Sequence, residues 1–134
     1  MATFNKFYSF VEALSEKVHN LGADTLTVAL TNTLPVNTNT VLANITQIAY
    51  TNLSTRVLAG VTSAQTTGTY KLDANDLVLT ASGTVAQFRY VVLYNDTATN
   101  DELIGWYDYG AAVDLLNGET FTITWDAAGI LTLA

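Results

Sequence analysis

A single histidine, His19, and no cysteine leave this chain with few of the groups that nucleophilic catalysis and transition-metal binding draw on. His19 falls inside a stretch with helical periodicity, and no nucleophile-elbow pattern surrounds any serine. Its ordinary reading is a solvated or capping histidine near a helix end. Two loops carry oxygen ligands. Asp73, Asn75 and Asp76 form one, and Asp96, Asn100, Asp101 and Glu102 the other. Calcium needs six or more oxygens from a shaped loop, and neither segment has the EF-hand pattern of a central glycine and a terminal glutamate. Aspartate and asparagine also belong in turns, where they bond the local backbone. Asp108, Asp114, Glu119 and Asp126 lie near expected strands. Glycoside hydrolysis needs two carboxylates facing one cleft, and nothing in their spacing marks a pair. The expectation is a non-enzyme with no catalytic residue, no cofactor and no bound metal.

The aromatic run Trp106-Tyr107-Asp108-Tyr109, with Trp125 further on, is the other place for chemistry. Strand alternation puts Trp106 and Asp108 on one face and Tyr107 and Tyr109 on the other. One reading buries an aromatic set in the core, where such side chains dominate the buried area. The other makes Trp106, Tyr107 and Tyr109 contact residues for a sugar or protein partner, since exposed Trp and Tyr combine apolar area with a polar tip.

Stepping along the chain, apolar residues at 4, 7, 11, 14, 18 and 21 trace the stripe of an amphipathic helix. The spacing predicts one helix over about 4–21, burying Phe7, Val11, Leu14 and Val18. Thr3 stands where a cap belongs, Gly22 where the left-handed closing residue belongs, and Lys17 and His19 in the last turn. The period then changes to two. Leu26, Val28 and Leu30 share one face of a strand over 25–31, which ends in a polar loop, Asn32 to Asn39, around the only proline, Pro35. Residues 41–49 suit a short helix by spacing and a strand by β-branching; the short helix is preferred. Further strands are expected at 56–63, 69–72, 76–81, 86–94, 103–109, 111–115, 120–125 and 129–133. Asn117-Gly118 is the strongest hairpin signal, a type I′ turn. Phe88 to Tyr94 is nearly continuous in apolar content, as in a central strand covered on both faces. The fold expected is mainly β, a β-sandwich or barrel-like domain with one N-terminal amphipathic helix, in a single domain spanning 1–134.

Charged residues make up 13% of the 134, about half the usual share, and the net charge is −7. A nucleic-acid binder needs lysine and arginine to displace counterions from phosphates, and only five basic residues are scattered here. An anionic membrane surface is disfavoured on the same ground. No basic stretch followed by an apolar run opens the chain, and no segment approaches the ~18 apolar residues of a membrane span. A small domain with so few charges must cover itself with neutral polar groups or hide surface in an interface.

The segments Thr3-Phe4-Asn5-Lys6-Phe7, Val18 to Asp24, Val28 to Thr33, Phe88-Arg89-Tyr90, Leu93 to Asp96, Ile104 to Gly110 and Gly118 to Phe121 stand out together. They resemble a small virion protein encoded among the head genes of tailed bacteriophages. The resemblance extends over nearly the whole chain. It implies a virion structural protein, foremost a capsid decoration (cement) protein that is made in the host cytoplasm and ends on the capsid surface. Its implied partners are the major capsid protein and itself, as a homo-oligomer for which a trimer is expected, with no nucleic acid and no membrane. A tail or head–tail connector component is the nearest alternative. A carbohydrate- or receptor-binding module on the virion surface is the rival from another class. The family has no catalytic signature, so no functional residues carry over. Met1 to Thr3 and the loop Thr33 to Thr40 are polar segments suited to ordering on a capsid.

Overall fold

The longest apolar run makes the central strand. In the computed structural model, which describes residues 2–134, the chain forms β1 (Asn5–Lys6), α1 (Ser9–Ser15), β2 (Leu26–Thr31) and a 3-10 turn (Leu42–Asn44). It continues through β3 (Thr62–Thr66), β4 (Thr69–Asp73), β5 (Leu77–Thr80), β6 (Val85–Asn95), β7 (Leu103–Leu115), β8 (Thr120–Ile123) and β9 (Leu131–Leu133). The fold is mainly β with one helix, in antiparallel sheets ordered β1-β7-β6-β2, β3-β4-β9 and β5-β8. Every residue of β6 from Tyr90 to Asn95 is buried, because its ladders with β2 and β7 leave neither edge open and both faces are covered.

Alternation along β6 sorts the interior. Val91 and Leu93 join Val28, Leu30 and Ile104 in the main core, facing Leu77 and Leu79 of β5, Phe121 and Ile123 of β8, and Leu72 and Leu131. The large sheet thus packs on the two small ones as in a sandwich. Val92 and Tyr94 point the other way, into a smaller cluster with Phe7, Ala29, Ile45 and Leu103. β2 is buried throughout although it lies at the sheet edge. The irregular chain after it rides along that edge. Val28 donates to the Arg56 carbonyl at 3.0 Å, Leu58 to Leu26 at 2.9 Å and Ile48 to Leu30 at 3.0 Å. An otherwise open strand edge is thereby sealed. This explains why 56–63 is a strand only from Thr62, while 41–49 divides between the 3-10 turn and a bridge from Gln47 to Thr31.

The N-terminal helix is far shorter than its periodicity predicts. Asn5 and Lys6 pair with Trp106 and Gly105 as β1, and Phe7 donates to the Ile104 carbonyl at 3.2 Å. The spacing of Phe4 and Phe7 serves a strand edge and the turn after it. At the other end Lys17 adopts φ 69°, Val18 donates to Ala13 at 2.9 Å, and Lys17 donates to Leu14. That bond pair is a Schellman closure with lysine, not Gly22, in the left-handed position. Tyr8 occupies the N-cap, so Thr3 caps nothing. Of the four side chains expected inside, Phe7 is buried ahead of the helix, Leu14 is half-buried, and Val11 and Val18 are exposed.

Two turn assignments also change. Asn117-Gly118 closes a bond from Glu119 to the Leu116 carbonyl, but only Gly118 has positive φ, as in a type II turn. It joins β7 to β8, which belong to different sheets, so it is a corner and not a hairpin. The type I′ geometry occurs at Thr67-Gly68, with φ 52° and 84°, between the paired β3 and β4. Gln65 Oε1 accepts from Gly68 N there at 3.0 Å, which helps hold a β-branched residue in an unfavoured region. Finally, 103–109 and 111–115 are one strand bent at Gly110, where φ is 95°. No helix among the described residues is long and apolar enough to cross a membrane.

Candidate functional site

Alternation along β7 separates the aromatic run as expected, and the two faces do different work. Trp106 is half-buried against the smaller core, edge-on to Tyr90 at 6.1 Å. Its indole Nε1 donates to Asn37 Oδ1 at 3.0 Å. Asn37 also accepts from Tyr8 N at 2.9 Å, and Thr40 accepts from Leu103 N at 3.0 Å. The Thr33–Thr40 loop is therefore already pinned to the body by Trp106, α1 and β7, with only Leu34 and Val36 offering exposed apolar area. Met1, part of the other segment suggested for capsid contact, lies outside the described residues. Asp108 shares the Trp106 face and takes Arg89 in a two-pronged pair, at 2.8 and 3.1 Å. It accepts Gly110 N as well, at 2.8 Å. The guanidinium and this amide hold the Asp108 carboxyl below the ordinary carboxylate range, and the carboxylate in turn raises Arg89.

Tyr107 and Tyr109 face a groove of about 890 Å³. Its walls come from six segments: the chain before and in β1, α1, Val91 of β6, β7, β8 and the C-terminal residues through β9. Tyr107 forms the floor, edge-on to Phe4 at 5.6 Å and tilted against Trp125 at 5.9 Å. Burial, helped by the negative charge of Asp126, pushes its phenol far above the usual tyrosine range. Tyr109 stands at the mouth, 57% exposed, with its ring against Phe121 at 5.0 Å. Val11 and Leu133 are exposed on the same rim. β8 bonds only to β5 and β9 only to β4, so each contributes an unpaired strand edge. Sequence reasoning found Tyr107 and Tyr109. It missed Phe4 and Val11, placed on a helix stripe, Phe10, within the same helix span, and Phe121, within a strand. Gly105 was the one available signal. A side chain there would strike the Phe4 ring, so glycine is what lets Phe4 lie against β7.

Several of the acidic candidates bond the local backbone or neighbouring side chains. Asp73 pairs with Lys71 at 3.3 Å and accepts Ala74 N at 2.9 Å, while Trp125 Nε1 donates to the Asn75 carbonyl at 3.0 Å. Asn100 bonds Glu102, Asp114 accepts Gln87, and Asp126 accepts Ala128 N. Among the described residues no set of three or more such side chains is placed to hold a metal. His19 differs from its expected solvated or capping state: it is 5% exposed, beneath Phe10 at a ring separation of 5.3 Å. The helix ends before it, and the turn after Lys17 folds it inward. Its Nδ1 lies 3.0 Å from Asn95 Nδ2, and burial holds the imidazole below its ordinary value of 6.5 against the opposing pull of Glu102 and Asp24. No family model, curated protein or solved structure matches the chain.

Proposed function

We propose that the protein is a structural component of a tailed-bacteriophage virion, a decoration protein that adds to the head as a homo-oligomer. The observation that carries this reading is the aromatic-walled groove in a chain with so few charges. Interface cores are enriched in aromatic residues and depleted of charge, and contiguous exposed apolar area marks an interaction site. Tyr109, Val11 and Leu133 supply that area on one rim. The family resemblance of the sequence supplies the setting.

Decoration asks for a rigid body and a weak contact repeated by symmetry. A threefold ring seated on three neighbouring capsomers multiplies three weak contacts without any new contact type. An acidic subunit also avoids adhering to packaged DNA. The test is to mix purified protein with undecorated capsids and count bound copies by cryo-electron microscopy. Regular density on the head supports the proposal. Density confined to the tail moves the protein to the tail or the connector. No density on either defeats both readings.

A second reading draws on Tyr109 alone of the 106–109 run, because it offers an exposed ring held by Phe121 at the groove mouth. Such a platform suits sugar stacking on a virion surface. Glycan-array binding that disappears in Tyr109→Ala, with no capsid occupancy, would favour it.

A further inference from the structure

The hydrogen-bonding direction around His19 is over-determined. Asn95 Oδ1 accepts the backbone N–H groups of Thr97 and Ala98, at 3.0 and 3.2 Å. This fixes the amide, since the reverse orientation would set its NH2 against two donors. Asn95 Nδ2 therefore points to Asp24 Oδ2 at 2.6 Å and to His19 Nδ1 at 3.0 Å. His19 Nδ1 must accept, which puts its proton on Nε2, an atom that is buried and without a partner. Asp24 Oδ2 also accepts Asn20 N at 2.8 Å. One side-chain amide thus clasps the 19–24 turn and the 96–102 loop together.

We propose that His19 and Asn95 form an acid-sensitive latch: neutral imidazole holds the 96–102 loop against the turn after α1, and protonation of Nδ1 opens it. An added Nδ1 proton sets donor against donor. Relief requires either that His19 leave or that the Asn95 amide rotate, and rotation surrenders both bonds to Thr97 and Ala98. Asp24 from its own turn and Glu102 ahead of β7 act on the imidazole, and Lys17 at the end of α1 and Tyr70 from β4 line the same pocket. The two carboxylates favour the imidazolium once it moves toward them, which gives the opened state a place to go. Burial resists the charge in the closed state, so the latch stays shut at neutral pH. The loop it holds, with Asp101 at φ 52°, carries Leu42 and Thr25 through backbone and side-chain bonds, so its release loosens the edge of the large sheet.

With one histidine in the chain, imidazole nitrogen NMR reads the site without ambiguity. The intact protein at pH 7.5 is expected to show the Nε2–H tautomer. Amide exchange, corrected for intrinsic rate, is expected to show protection at Thr97 and Ala98 falling about tenfold or more as His19 titrates. His19→Gln, which does not titrate, is expected to keep a constant protection between pH 7.5 and 5. An Nδ1–H tautomer overturns the proposal, as does unchanged protection across the titration. So does the same acid response in His19→Gln, which would show that the imidazole does not drive it. If His19→Gln fails to fold, the tautomer and the wild-type exchange profile decide alone.

Discussion

Gly105→Ala tests how the groove is built. An ideal Cβ at Gly105 would clash with the Cε2 and Cζ edge of the Phe4 ring and lie 3.0 Å from the Asn5 carbonyl oxygen. Forcing a methyl group into such a contact costs about 1–3 kcal/mol. Gly105 does not have positive φ, so alanine is conformationally acceptable and recovers about 0.4–1 kcal/mol through the unfolded chain. The net expectation is destabilisation by about 1–2 kcal/mol. Phe4→Ala alone removes a half-buried ring and should cost about 2 kcal/mol, roughly half of a full burial loss. In that background the main obstacle to the Cβ is gone, so adding Gly105→Ala should fall within about 0.5 kcal/mol of neutral. Urea unfolding at pH 7.5, followed by the fluorescence of Trp106 and Trp125, yields all four corners of the cycle. A coupling of about 1 kcal/mol or more is expected. Equal costs for Gly105→Ala in both backgrounds would refute the argument that this glycine exists to seat Phe4 against β7.

Phe88, fully buried and edge-on to Phe121 at 5.2 Å, should cost about 3–5 kcal/mol as Phe88→Ala in the same unfolding assay; a loss under about 1 kcal/mol would contradict its place in the main core. In an absorbance titration at alkaline pH, Tyr50, Tyr94 and Tyr107 should ionise above the ordinary value of 10, chiefly because burial disfavours the phenolate. Complete ionisation of all seven tyrosines at the ordinary value would overturn that. The unfolded chain takes up a proton at His19 below pH 6.5 and the folded chain only at a lower pH. The His19 contribution is therefore full above 6.5 and declines as pH falls below it, so the urea midpoint should drop from pH 7.5 to 5 in wild type more than in His19→Gln. Tyr109→Glu leaves an exposed position exposed and should cost no more than about 1.5 kcal/mol, the worth of the edge-on contact with Phe121 that it removes, while sharply lowering capsid occupancy; undiminished occupancy in the folded variant would remove the groove from the proposed assembly.

What the sequence made legible was local and periodic. β2, β4, β5 and β6 lie where alternation put them, and the two faces of the Trp106–Tyr109 run divide as period two requires. The failures occurred where one pattern admits two structures. Phe4 and Phe7 are three apart, which suits a helix stripe, yet also a short strand that turns into a helix. Lys17 closes the helix because tertiary contacts draw His19 inward, and no residue preference favours lysine at φ 69°. Thr67 in a type I′ turn is likewise invisible to turn statistics, whereas Asn117-Gly118 has the favoured residues and the wrong partners. The burial of His19 depends on Asn95, which lies 76 residues away.

The groove belongs to this second kind of information, and its construction says something about its mechanics. One wall rests on Phe4, just ahead of β1, whose whole ladder is Asn5 against Trp106 and Lys6 against Gly105. Two paired residues hold far less tightly than the long β6–β7 ladder beneath them, and stability is not uniform across a fold. Tyr107 and Trp125 stay fixed by the core, while Phe4 beside the two-residue β1 and Leu133 in the three-residue β9 sit at the shortest, terminal elements. A surface with a rigid aromatic floor and a loosely tied rim can adjust to a partner at small cost in the body. That combination suits a subunit seated repeatedly on a lattice whose sites are similar but not identical.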